Sequence, residues 1–401
     1  MTERNDTGDW VRTWAAAPQA ADGGIGSLEG HPPLAEVTLR QVVRVSGGGH
    51  LLRVRFTNEF GAAPVTIGAA RVGLAAPGGA VRPGSDRVLT FSGARTGIIP
   101  AGAPLLSDPV AFPVPALAEL SISLYLPGHV ADCTCHDPAM RTGWRIPGDA
   151  VAAPTLPEPA EILPVRALLS AVELVPDTPA ESIVVLGDSR TDGAGSTPDT
   201  DRGWPELLAQ RLGNAGYVTN QGISGNRMLN DGIGTAALAR FDRDVLATPG
   251  LGAVVLSHGG NDIGISFADD EGPLAGFLAM FPGEPVTAED VITGFRVLIG
   301  RAREHGVRVY GTTIAPFEGA EIYTAEGESA RTAVNEWIRT SGAFDAVLDF
   351  DAVWRDPDHP GRIRTEYDSG DRLHGNDAGY RALADSVDLA LFDAVTAATA
   401  R

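Results

Sequence analysis

The sequence predicts a two-domain α/β fold: a β-sandwich, jelly-roll-like in its strand spacing, over residues 1–178, then an open parallel sheet covered by helices over residues 179–401. Three observations carry this. The chain has 401 residues, more than the roughly 100–200 of one ordinary domain. Its first half alternates apolar and polar residues at period two between closely spaced turns. From Ser182 onward, short continuous apolar runs alternate with stretches of helical spacing, as buried parallel strands joined by helices do.

In the first half the candidate strands are residues 37–46, 51–58, 65–72, 87–92 and 120–126. Gly47-Gly48-Gly49 separates the first two as a turn. Alternation is plain in Leu51-Leu52-Arg53-Val54-Arg55-Phe56 and in Leu120-Ser121-Ile122-Ser123-Leu124. Pro154, Pro157, Pro159 and Pro164 mark a long connection, a strand over 165–175 returns to the sandwich, and 176–181 is the linker. In the second half, strands are predicted at 183–186, 217–220, 253–256, 307–314 and 346–350. Helices are predicted at 204–212, 291–304, 329–340 and 377–394. Sites in such sheets lie beyond the carboxyl ends of the strands. The residues after Leu186, Asn220 and Leu256, and those near the C-terminus, are therefore the ones to read for chemistry.

Composition removes several function classes. Net charge is −20, so phosphate backbones and anionic membranes are repelled and no nucleic-acid partner is expected. All 31 basic residues are Arg. A P-loop lysine, a Schiff-base lysine and a Ser–Lys dyad all need the missing amine. No apolar run approaches the ~18 residues of a membrane span. Residues 1–15 carry Glu3, Arg4, Asp6, Asp9 and Arg12, which interrupt any secretory leader, so the sequence as given reads as cytoplasmic. Cys133 and Cys135 stand one residue apart and offer no disulfide framework. With His136 they suggest a metal, but a tetrahedral set needs a second pair and no other Cys exists. Two small buried side chains are the expected reading, and no metal is expected.

Four blocks occupy the strand ends: Gly187-Asp188-Ser189, Gly222-Ile223-Ser224-Gly225-Asn226, Gly259-Gly260-Asn261-Asp262 and Asp371-Arg372-Leu373-His374. A serine nucleophile needs a base for its proton, an acceptor to orient that base, and donors for the oxyanion. Asp371 and His374 are three apart, so one turn can bring carboxylate to imidazole. Gly225 lets the backbone approach and exposes its N–H, and Asn261 can donate through its amide. Singly, each residue has a plainer reading: Ser189 as a helix N-cap, Asp371 as a loop residue, His374 as a cap on the closing helix. All of them together at four strand ends favour catalysis. Asp368 is a competing acid, disfavoured by its spacing. Asp188 and Asp262 are expected to bond backbone turns. His258 either lines the site or is a hydrogen-bonded strand-end histidine.

The four blocks in this order resemble the SGNH hydrolases, also called the GDSL lipases and acylhydrolases. The resemblance spans nearly all of residues 182–401. It implies a flavodoxin-like sheet, Ser189 as nucleophile, and Asp371 and His374 as the rest of a triad. It also implies an oxyanion hole from the N–H groups of Ser189 and Gly225 and the amide of Asn261. The activity implied is a cofactor-free serine esterase on carboxylic esters of a small molecule, lipid or carbohydrate. An acyltransferase or thioesterase is the alternative on the same residues; a carbohydrate-binding protein with an inert hydrolase domain is the alternative from another class. The front half resembles the β-sandwich that precedes the catalytic domain in many actinobacterial relatives, which are commonly secreted, and Trp10-Val11-Arg12-Thr13-Trp14 is similar to their start. Two positions depart from the pattern. Arg190 stands where an apolar residue is usual, and Gly375 where proline is frequent. Arg190 is expected to pair with a carboxylate, or else to meet an acidic substrate.

Other motifs fail. Gly232-Ile233-Gly234-Thr235-Ala236-Ala237 matches a dinucleotide fingerprint loosely, but no apolar strand precedes it. There is no Gly-x-Ser-x-Gly elbow and no His-Glu-x-x-His. The connection 264–289 is long and carries Phe267, Leu274, Phe277, Leu278, Met280 and Phe281. Phe277 and Phe281 are the residues expected to wall an acyl pocket; the alternative is packing on the sandwich or another subunit.

Overall fold

The computed structural model describes residues 9–22, 24, 33–268, 272 and 274–392. Residues 1–8 of the leader reading, the Ala-rich tail from 393 and the last two residues of the expected closing helix lie outside the described residues. The chain divides into two compact units. The first is built on residues up to Ala180 with Leu212–Thr219, the second on Glu181–Arg211 and Asn220 onward.

The first unit is built on two large antiparallel sheets, with a three-stranded and a two-stranded sheet in addition among the described residues. One runs Val11–Ala15, Leu169–Val175, Gly49–Thr57, Pro104–Leu106, with Val110–Val114 also on Gly49–Thr57. The other runs Glu161–Leu163, Gly143–Pro147, Val37–Arg44, Glu119–Leu126, Ala69–Ala76, Ala80–Val81, with Arg87–Val88 on Ala69–Ala76. Period two decides the faces. Leu52, Val54 and Phe56 of one sheet share a core with Leu39, Val43, Leu120, Ile122 and Leu124 of the other. The expected strand 65–72 is two strands: Val65–Ile67 pairs with Gly97–Ile99, and Ala69–Ala76 joins the larger sheet. Between them Gly68 lies so close to the Tyr125 ring that no side chain fits. Cys133 and Cys135 are buried free thiols, and burial pushes Cys133 up to about 12. Among the described residues, no group of three His, Cys, Asp or Glu could hold a metal ion.

Past Ala180 the chain forms a sheet of five parallel strands: β1 Ser182–Gly187, β2 Tyr217–Gly222, β3 Leu251–Ser257, β4 Arg308–Thr312 and β5 Ala346–Leu348. Their order is β2-β1-β3-β4-β5, the flavodoxin-like arrangement. Val184, Leu186, Val254, Leu256 and Val309 pack against Phe295 and Leu298 of helix Ala288–Glu304 and Val334 and Ile338 of helix Ala325–Thr340. Thr287 and Asp290 cap the first of these helices reciprocally. The closing helix is Asp377–Ser386, followed by a short turn of tighter helix at Leu389–Phe392. Among the described residues no helix is long and apolar enough to cross a membrane.

Candidate active site

β1 delivers the first block. Asp188 caps the single turn Ser189–Asp192, its Oδ1 accepting Arg190 N at 3.0 Å. Burial pushes the Asp188 carboxyl up, and the Arg190 charge opposes this. β2 delivers Gly225 in a turn where Asn226 N donates to Ile223 O. Gly225 has φ +81°, and a β-carbon there would strike Ile233, so glycine is required twice over. β3 delivers Asn261 in the first turn of helix Gly260–Phe267.

Buried polar contacts stitch these blocks together. Ile223 N reaches Gly187 O at 3.2 Å. Ser224 Oγ donates to Asp192 Oδ2 at 2.6 Å. Asn261 Nδ2 donates to Asn226 O at 2.9 Å. Asp262 accepts Met228 N at 2.8 Å and Leu229 N at 3.0 Å; burial still pushes its carboxyl up to about 6. Asp188 and Asp262 thus bond backbone turns, as their motif positions predict. At the centre is Arg240, fully buried, donating to Gly187 O, Gln221 O, Asn226 Oδ1 and Asp244. Sequence reasoning missed Arg240, because a buried arginine carries no local signature.

The fourth block brings the base. His374 Nε2 lies 2.8 Å from Ser189 Oγ, and His374 Nδ1 lies 2.6 Å from Asp371 Oδ2. Asp371 Oδ1 also accepts His374 N at 2.8 Å and Leu373 N at 2.9 Å. Burial would raise the Asp371 carboxyl, but the hydrogen bonds from His374 and Leu373 hold it well below the usual carboxylate range. Asp368 faces the other way, pairing with Arg372 and accepting Gly370 N at 2.9 Å. Gly375 lies against the Trp354 indole, where any β-carbon would collide; this accounts for glycine at the second departure.

Three readings are corrected. Among the described residues the Arg190 guanidinium makes no direct carboxylate pair: Nε donates to Leu373 O at 3.0 Å and Nη1 to Ala315 O at 3.3 Å. His258 is neither hydrogen-bonded nor on the Ser189 cleft. It is buried with both ring nitrogens unpartnered among the described residues, and burial holds it neutral. The small cleft at Ser189 is lined by Asn261, Phe317 and Leu373 with Asp188, Arg190 and Gly260. Phe277 and Phe281 are not on it. Their rings pack on each other at 4.9 Å, and Phe281 also meets Arg227. Phe317 follows β4, where the sequence shows only a short polar-apolar mixture.

A doubly wound parallel sheet with its polar residues gathered at the strand carboxyl ends is the build of an α/β enzyme. Residues 185–382 match the GDSL-like lipase/acylhydrolase family model. The chain therefore carries a GDSL-like lipase/acylhydrolase domain, and it is a carboxylic ester hydrolase. Among solved structures, the native aryl esterase of M. smegmatis is 19% identical, with a TM-score of 0.39 over 54% of this chain and 99% of that one. A carbohydrate acetylesterase family member from Sinorhizobium meliloti is 14% identical, with a TM-score of 0.40 over 53% and 99%. A GDSL-like lipase from Bacteroides thetaiotaomicron is 16% identical, with a TM-score of 0.37 over 54% and 89%. Among curated proteins, none matches.

Proposed function

We propose that the chain hydrolyses short-chain carboxylic esters through an acyl-enzyme on Ser189. The observation that supports it most is the continuous line from Asp371 through His374 to Ser189, at 2.6 and 2.8 Å. An ionised Asp371 can only accept, so the imidazole proton sits on Nδ1 and Nε2 is the free base. Ser189 Oγ attacks the ester carbonyl and gives its proton to Nε2. The carbonyl electrons move to oxygen, then return as the C–O bond to the alcohol breaks. The leaving alkoxide takes the proton from His374. Water repeats the sequence, releasing the acid and restoring Ser189.

The oxyanion donors in this reading are the N–H groups of Ser189 and Gly225 and the amide of Asn261. An amide carries two hydrogens, and Asn226 O takes one of those on Asn261, which orients the other. The acyl wall is Phe317 with Leu373. The recess at Ser189 is narrow and closed by Phe317 and Leu373, which favours short acyl groups.

The test is hydrolysis of p-nitrophenyl esters from acetyl to lauroyl by wild type and Ser189→Ala. Turnover highest on the shortest esters and abolished in the variant is the expected result. Equal turnover by both proteins would remove Ser189 as nucleophile. A maximum at lauroyl would remove the short-chain assignment.

A further inference from the structure

Arg190 is placed to do more than fill space. Its backbone adjoins Ser189, and its side chain ends on the loop that carries His374. Nε donates to Leu373 O at 3.0 Å, one residue before the histidine, and Nη1 donates to Ala315 O at 3.3 Å in the segment after β4. Nη2 has no exposed surface and no partner among the described residues; Arg190 also lines a small cavity behind the serine with Trp204, His258 and Thr312. The guanidinium is thus committed to the interior.

The other contacts of the His374 loop explain why such a tie matters. Asp371 bonds His374 N and Leu373 N, Ser369 N donates to His374 O, and Asp368 takes Arg372 N. These bonds are internal and fix the loop's shape. They do not fix its place against a serine 185 residues away in sequence. Thr197 and Tyr380 bond the helix Asp377–Ser386 to the segment after Ser189, but they act beyond the histidine. The Arg190–Leu373 bond joins the residues immediately next to Ser189 and His374.

We propose that Arg190 is a positioning residue that straps the His374 loop to the serine's turn and thereby sets the Ser189–His374 distance. The proposal rests on the serine reading above. Displacing a reacting pair by about 1 Å can cost on the order of 100-fold in rate, so the effect belongs in kcat. Arg190→Met keeps the length of the side chain and removes every donor. Its kcat on p-nitrophenyl acetate should fall about 10- to 100-fold with KM within about two-fold. Labelling of Ser189 by a fluorophosphonate should slow in the same proportion. Arg190→Lys should lie between the two, because an ammonium can reach one carbonyl but not hold both in a fork. Arg190→Ala with added methylguanidine should recover several-fold of the lost kcat.

Unchanged kcat in a folded Arg190→Met would overturn the strap. So would a rise in KM with kcat kept, which would mean a substrate contact. Absence of rescue, with activity following the melting curve in all three variants, would reduce Arg190 to a packing role and overturn it too. Failure of the wild type to take the fluorophosphonate would overturn the serine reading itself. Labelling of wild type and Arg190→Met at one rate would overturn only the strap.

Discussion

Both units bury arginine, and they use it differently. In the first unit, Arg12 and Arg53 close on Glu173 at 3.1 and 2.6 Å, and Arg40 reaches the carbonyls of Gly79, Ala150 and Ala153. Arg12, Arg53 and Glu173 join neighbouring strands of one sheet along their length. In the second unit, the guanidinium groups of Arg240, Arg190 and Arg331 reach carbonyls at or just past strand ends, Arg331 through Ile314 O at 2.8 Å. The first unit also has a roomier cavity, about 410 Å³ beside Arg71, Arg95 and Asp149, yet no nucleophile and base meet there. The difference teaches that neither buried charge nor cavity size marks the reactive place. An antiparallel sheet turns at both ends and spreads its polar groups. A parallel sheet sends every carboxyl end to one edge, where a few loops can be tied into a single cluster.

The largest expected effect tests that clustering. Asp371→Asn should lower kcat/KM by about 10⁴-fold through the wrong imidazole tautomer, while Asp368→Asn should cost less than about ten-fold. Steady-state kinetics on one short ester decides it, and equal losses would mean that the acid is misassigned. Next comes the contrasting unit. Glu173→Gln leaves two arginines without their carboxylate and should destabilise the first unit by about 3–5 kcal/mol in urea, with esterase kcat kept within about two-fold below the transition. A matching loss of kcat would break the separation between structural and reactive burial.

A smaller effect concerns pH. Burial pushes the Glu206 carboxyl up to about 7, against the hydrogen bond from Asn220. The folded value lies above the unfolded one, so this group's contribution is full below about pH 4 and is lost as pH rises through 7, a swing of up to about 3 kcal/mol. Melting temperatures between pH 5 and 8 should therefore fall in wild type, and Glu206→Gln should flatten the slope. An unchanged slope would remove Glu206 as the source. The smallest effect separates the two candidate acyl walls. Phe317→Ala should raise turnover of longer esters relative to acetate by about ten-fold, on the scale of ~1–3 kcal/mol for pocket methylenes. Phe277→Ala should change that ratio by less than about two-fold. The reverse pattern would restore the aromatic pair as the wall.

Legibility followed the range of the interactions. β1 and β3 were readable because a short apolar run rich in β-branched residues is typical of a doubly covered strand. The short strands Gly97–Ile99, Pro104–Leu106 and Glu161–Leu163 were not, since three residues hold too little of a period to detect. Asp371 and His374 were legible as a pair because a three-residue spacing is a local fact. Phe277 and Phe281 were plausible as a wall on composition, but which faces meet depends on where the long connection comes to rest.

What the sequence determined by itself was the two rhythms, the four blocks at the strand ends and the chemistry those residue types can perform. Each is written in neighbouring residues, where backbone geometry and side-chain period act directly. What only the tertiary structure decided was the distance from Ser189 to His374, Arg240 at the centre of the loops, Phe317 in the cleft and the target of Arg190. Those contacts close over tens to nearly two hundred residues, and which atoms meet there depends on how the whole sheet twists and how its helices pack.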